Sequence, residues 1–153
     1  MSVAFRRDSD EEHLEPQFEL PIPPGRNLVT ERGATLIDAR IAAIQGAIEA
    51  GGSEDELKSL KRQLRYWHTR HATMEVQPVA DGDEAAFGTR VRYRLNGKEA
   101  TVAIVGDDEA DPAAGLISYA SPIARALMGA GEGDLADFGG KSDAIEVLGV
   151  EVL

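Results

Sequence analysis

Apolar residues recur with a period near 3.6 in the first half of the chain and a period of two in the second. Ala34, Ile37, Ile41, Ile44 and Ile48 fall at spacings of 3, 4, 3 and 4, which places one apolar stripe on a helix. The spacing predicts a helix over 30–50, ended by Gly51-Gly52. Ser53 restarts the pattern with Glu56 three residues later, a capping box. Leu57, Leu60, Leu64, Trp67, His71 and Met74 follow at 3, 4, 3, 4 and 3. Two stripes joined by Gly-Gly-Ser predict an antiparallel helical hairpin, coiled-coil-like, with arms of roughly 25–35 Å. The same stripes also suit an ordinary helix pair lying on a core.

Residues 76–86, "VQPVADGDEAA", read as a linker, after which the alternation begins. Thr89, Val91, Tyr93 and Leu95 alternate with Arg90, Arg92 and Arg94. Asn96-Gly97 is the preferred pair for a two-residue hairpin turn, and "EATVAIV" returns as the partner strand. "GLISY" reads as a third short strand and "AIEVLGVEVL" as the last. Between them Ser121 is placed to cap a short helix, Pro122 to occupy its first position and Gly129 to end it. The expected fold is α+β: a helical hairpin, then a small antiparallel sheet crossed by one short helix. At the front, Pro21, Pro23 and Pro24 bias the chain toward extended conformations. The chain divides into a flexible tail at 1–27, a hairpin at 28–77 and a C-terminal domain at 78–153.

Charge narrows the partners. The net charge is −11, and residues 76–153 carry six basic and fourteen acidic groups. Tight unaided binding to nucleic acid needs Lys and Arg against phosphate, so this balance argues against it. It suits a protein that docks on a basic protein surface. No cysteine is present, which removes disulfides and thiolate sites together. No apolar run approaches the ~18 residues of a membrane span, and the N-terminus has no signal-like apolar region. The expectation is a cytoplasmic chain.

Several apparent motifs dissolve on inspection. "FGGKS" at 138–142 lacks the first glycine of a phosphate loop, since Leu135 stands there; it reads as a β-turn. "DEAD" at 108–111 has no phosphate loop to work with. His68 and His71 share a helix face without a third metal ligand, and no Ser/His/Asp arrangement presents itself. Glu54, Asp55 and Glu56 at the hairpin tip have two readings. Adjacent carboxylates can ligate Mg²⁺, and acids also favour the positive end of a helix dipole, where Glu56 completes the cap. Lys58, Lys61, Arg62 and Arg65 cover the outer face of the second helix, either as a solvated face or as a contact for RNA or an acidic channel. The Arg90, Arg92, Arg94 row is open in the same way.

"VGDDEADPAAGLISYASPIARALMGAGEGD" at 105–134 resembles the C-terminal domain of the Gre-factor (GreA/GreB-type) family of bacterial transcription elongation factors. The matching pieces are "VGDDEAD", "LIS", "SPIARALMG" and a following "GD", in order. "LVTERGATLIDARI" is similar to the family's opening helix, with Thr30, Gly33 and Leu36 in place. The resemblance spans roughly residues 28–153. It implies an FKBP-like C-terminal domain docked at the rim of the RNA polymerase secondary channel and a monomeric factor without catalysis, cofactor or metal of its own. It also implies polymerase contact through Ser121, Pro122, Ile123 and Ala124; cap and core roles for the same residues are the plainer alternative.

In cleavage-stimulating members the tip acids help hold a catalytic Mg²⁺ in the polymerase. Here the tip signature of the D-L-S-E-N-A-E-Y kind is replaced by "GGSEDELKSL", and the hairpin is shorter, as in the Rnk-like members. Each lost turn removes about 5.4 Å of reach. The expectation is a polymerase-binding regulator of elongation without efficient cleavage stimulation. The alternatives are a cleavage factor using Glu54, Asp55 and Glu56, and a prolyl isomerase, for which residues 76–153 supply few aromatic side chains.

Overall fold

A computed structural model describes residues 19–153. The tail expected at 1–27 therefore lies largely outside the described residues. The elements are β1 (Asn27–Val29), α1 (Glu31–Ala50), α2 (Glu54–Thr73), β2 (Met74–Val76), β3 (Thr89–Leu95), β4 (Lys98–Val105), β5 (Leu116–Ser118), α3 (Pro122–Leu127), β6 (Leu135–Phe138) and β7 (Lys141–Val152). Among the described residues no helix is long and apolar enough to cross a membrane.

The hairpin forms where the stripes place it. Thr30 caps α1 and accepts a hydrogen bond from the Gly33 N–H, and Gly51, at φ 85°, ends the helix. Each arm has 20 residues, about 30 Å at 1.5 Å per residue. The arms pack chiefly on each other. Ile37 and Ile44 are buried, whereas Leu57, Leu60, Leu64 and Trp67 remain half-buried. That is the burial of a projecting pair. His71, counted on the stripe, is exposed and lies 3.3 Å from Asp38; its neighbour Arg70 is buried instead. Met74 has left the helix for β2.

β1 and β2 pair in parallel, Asn27 opposite Met74 and Val29 opposite Val76. They close the open end of the hairpin. Three residues per strand are too few to show a period of two, so the sequence reading missed both. Asn27, assigned to the tail, is buried in β1.

The sheet has the order β5-β4-β3-β7-β6. β3 and β4 join at Asn96 and Gly97, both at positive φ (52° and 78°), as the two-residue turn requires. β6 and β7 join at Gly139 and Gly140, so "FGGKS" is a hairpin turn. The sheet is not wholly antiparallel as expected: β5 runs parallel to β4, Ala103 opposite Leu116. The connection over 106–115 is too long for a tight turn and carries the chain back to its starting end. β6 went unrecognised because exposed Leu135 and Asp137 disguise a four-residue strand. α3 covers one face, where Val91, Tyr93, Ile104, Ala124, Leu127, Ile145 and Val147 form the core. Each large apolar side chain buried there contributes about 1.5–3 kcal/mol. The other face, with Arg90 and Arg92, is open to solvent.

Candidate functional site

At the tip, Ser53 caps α2 by accepting from the Glu56 N–H at 3.1 Å. The Glu56 carboxylate accepts from the Ser53 N–H at 2.7 Å. Glu56 is thus committed to its own helix. Glu54 and Asp55 are exposed and stand in the first turn of α2, where the helix dipole favours them. Among the described residues no group of three or more histidine, cysteine or acidic side chains is arranged to hold a metal ion.

At the base, the segment "VGDDEAD" has a structural task that its spacing did not reveal. Asp107 accepts from the Ser118 hydroxyl at 2.6 Å. Asp108 receives the Tyr66 hydroxyl and Arg70 Nε, each at 2.5 Å. Arg70 also donates to the Asn27 side-chain oxygen at 2.8 Å. Asn27 in turn donates to the Arg70 carbonyl at 2.9 Å. Glu109 accepts from the Thr30 hydroxyl at 2.6 Å and from Arg32 at 2.8 Å. Three consecutive carboxylates therefore grip β5, then α2, then α1. The Arg70–Asp108 pair is almost fully enclosed, at 2% and 6% exposure, so geometry and added hydrogen bonds must offset its desolvation. Burial, then the hydrogen bond to Asp108, raises the Tyr66 phenol above its ordinary range.

Two glycines let the parts approach. A Cβ on Gly106 would lie 2.2 Å from the Leu28 carbonyl oxygen, and one on Gly33 would lie 2.9 Å from Glu109 Oε1. Tyr119 adds a hydrogen bond from its hydroxyl to the Arg26 carbonyl. Arg26 also bonds Glu75 across the strand pair and holds that exposed carboxylate below its ordinary range. Glu19 is held low in the same way by Arg65 on α2. The hairpin is thus joined to the sheet domain by polar groups drawn from 26–32, 66–70 and 108–119. Sequence reading noticed "VGDDEAD" as a motif but not Asn27, Tyr66 or Arg70. An arginine at a helix position one residue from the apolar stripe was the available signal.

At α3, Ser121 accepts from the Ala124 N–H, and Pro122 begins the helix. Pro122 is exposed, while Ile123 is partly buried and packs against the core. Ala124 has no exposed surface. The Ala124 side chain is core, because α3 must turn one face onto the sheet.

A family model for the C-terminal region of GreA/GreB transcription elongation factors matches residues 80–152. Transcription elongation factor GreA of Thioalkalivibrio sulfidiphilus is 39% identical over 114 residues, covering 71% of this chain and 66% of that protein. GreA of Nitratidesulfovibrio vulgaris is 38% identical over 115 residues, covering 70% of this chain and 71% of that protein. The match spans about two thirds of the length of these relatives. Among solved structures, GreA factor homolog 1 (Gfh1) of Thermus thermophilus is similar at a TM-score of 0.37 and 18% identity, over 83% of this chain and 99% of that chain. With identity extending beyond the C-terminal domain, the chain belongs to the GreA/GreB family of transcription elongation factors.

Proposed function

We propose that this protein binds RNA polymerase at its secondary channel, through the Pro122 end of α3, and modulates elongation without efficient transcript cleavage. The tip carries this reading. Holding a metal requires free carboxylates at about 2 Å from it. Glu56 is instead closed into its capping box, and arms of 20 residues limit the reach. The short capped turn suits a plug better than a ligand set. Rigid clamping at the base supports this role, because a lever can place its tip only if its angle is fixed.

The test is transcript cleavage on backtracked elongation complexes, run beside a binding competition with a cleavage-competent Gre factor. Competition without acceleration over intrinsic cleavage is the expected result. Exposed Glu54 and Asp55 favour the cleavage reading instead. Acceleration that disappears in a Glu54→Gln, Asp55→Asn variant would establish that reading and overturn the plug. Absence of competition would remove the secondary channel as the binding place.

A further inference from the structure

The basic face of α2 already meets a carboxylate from earlier in the chain. Lys58, Lys61, Arg62 and Arg65 recur at helical spacing, which puts them on one side of α2. Arg65 and Glu19 form a forked pair: Nε donates at 2.8 Å to one carboxylate oxygen and a terminal nitrogen at 2.9 Å to the other. That hydrogen bonding holds the Glu19 carboxyl below its ordinary range, and the charge of Arg62 adds to the effect. Lys58 and Lys61 are exposed and make no ion pair among the described residues. The carboxylates on α2 nearest to them are those of its first turn, Glu54, Asp55 and the capping Glu56.

The path of the chain gives this contact a direction. Asn27 donates to the Arg70 carbonyl and to the Thr73 hydroxyl, whereas Glu19 meets Arg65. Residues 19–27 therefore run along α2 toward the tip as the numbering falls. Ion pairs hold this strap at its ends, Glu19 with Arg65 and Arg26 with Glu75, while Leu20 and Ile22 between them stay exposed. Polar attraction rather than apolar burial lays it on the helix. From Arg65 to Lys58 is about 10 Å of helix, and four extended residues span about 13 Å. Glu15 stands four residues before Glu19, with Glu11 and Glu12 beyond it. Residues 8–19 hold six acidic groups and no lysine or arginine.

We propose that the acidic residues 11–15 continue this contact, so that Glu11, Glu12 and Glu15 neutralise the basic face of α2 from within the chain. One exposed pair contributes little, but a short tether at Glu19 supplies an effective concentration in the millimolar range, and the pairs act together. An anion from outside reaches Lys58 and Lys61 only in competition with this segment. The proposal does not depend on polymerase binding.

Because the chain has no cysteine, His13→Cys in the full chain carries a single nitroxide label. Lys61 and Thr69 each lie four residues from Arg65, so a tether alone would relax both amides alike. The expected result is paramagnetic relaxation about threefold or more faster at Lys61 than at Thr69 in about 0.01 M salt, with the difference lost in about 1 M salt. Glu11→Gln, Glu12→Gln and Glu15→Gln together in the labelled chain should also abolish it. Equal relaxation at the two amides overturns the proposal, and so does a difference that survives the three substitutions. Spin-labelled ¹⁴N chain mixed with unlabelled ¹⁵N chain tests the other occupant. Broadening at Lys61 in that mixture would assign the face to the acidic segment of a second copy and overturn the internal contact.

Discussion

A Cβ at Gly106 would sit 2.2 Å from a backbone oxygen of β1, at Leu28. No side-chain adjustment relieves such a contact, because the obstacle is main chain. Gly106→Ala should therefore push β1 off the sheet domain and cost more than about 2 kcal/mol, read as a fall in the urea midpoint. Arg70 tests the same junction by charge. Arg70→Met leaves Asp108 with only the Tyr66 hydroxyl and strips Asn27 of its donor. Losing one member of a buried pair costs about 3–5 kcal/mol, and thermal unfolding should shift to match. A loss below about 1 kcal/mol would mean that water replaces the guanidinium and the clamp is weak. Ion pairs such as Arg26–Glu75 and Glu19–Arg65 are exposed and contribute far less.

Within the hairpin, two substitutions should move stability in opposite directions. Ser53→Ala removes the hydroxyl that accepts from the Glu56 N–H, one half of the capping box, and should cost about 1 kcal/mol. Gly46 lies inside α1, and a Cβ there would meet nothing within 4 Å. Gly46→Ala should stabilise the helix by about 1 kcal/mol. Equilibrium unfolding of the two variants checks both signs; a destabilising Gly46→Ala would show that the neighbourhood is closer than its open space indicates. At α3 the separation is between fold and contact. Pro122→Asp changes an exposed first-turn position and should leave unfolding nearly unchanged while weakening polymerase binding. A polar replacement of partly buried Ile123 acts on packing as well, so Pro122 is the cleaner probe.

For the molecule as a whole, the clamp couples folding stability to alkaline pH. The Tyr66 phenol titrates above its ordinary value of 10.0 in the folded chain. Its contribution is complete below pH 10, where folded and unfolded phenols are both protonated. Above it the unfolded chain loses the proton first, so stability falls as pH rises toward the folded value. Buried Tyr93 acts in the same direction. Stability measured between about pH 8 and pH 11 should fall less steeply in Tyr66→Phe than in the parent chain, without vanishing. An unchanged slope would place Tyr66 outside the buried network.

Much of this architecture was already written in local patterns. The two stripes, the Ser53 capping box, the Asn96-Gly97 turn and the Ser121-Pro122 helix start each depend on residues within a turn or two of one another. Backbone sterics and nearest-neighbour hydrogen bonds decide them. By itself the sequence determined a capped hairpin, alternating strands and the family resemblance in 105–134. Tertiary structure decided the β1–β2 closure, the parallel placement of β5, the burial of Ala124 and the commitment of Asp107, Asp108 and Glu109 to three different elements. Several of those outcomes join groups far apart along the chain, 43 residues for Asn27 and Arg70 and 79 for Thr30 and Glu109. Charge and hydropathy along a chain do not say which distant partner will satisfy a buried carboxylate. Only the packed chain brings those groups within bonding distance and gives the hairpin one fixed direction.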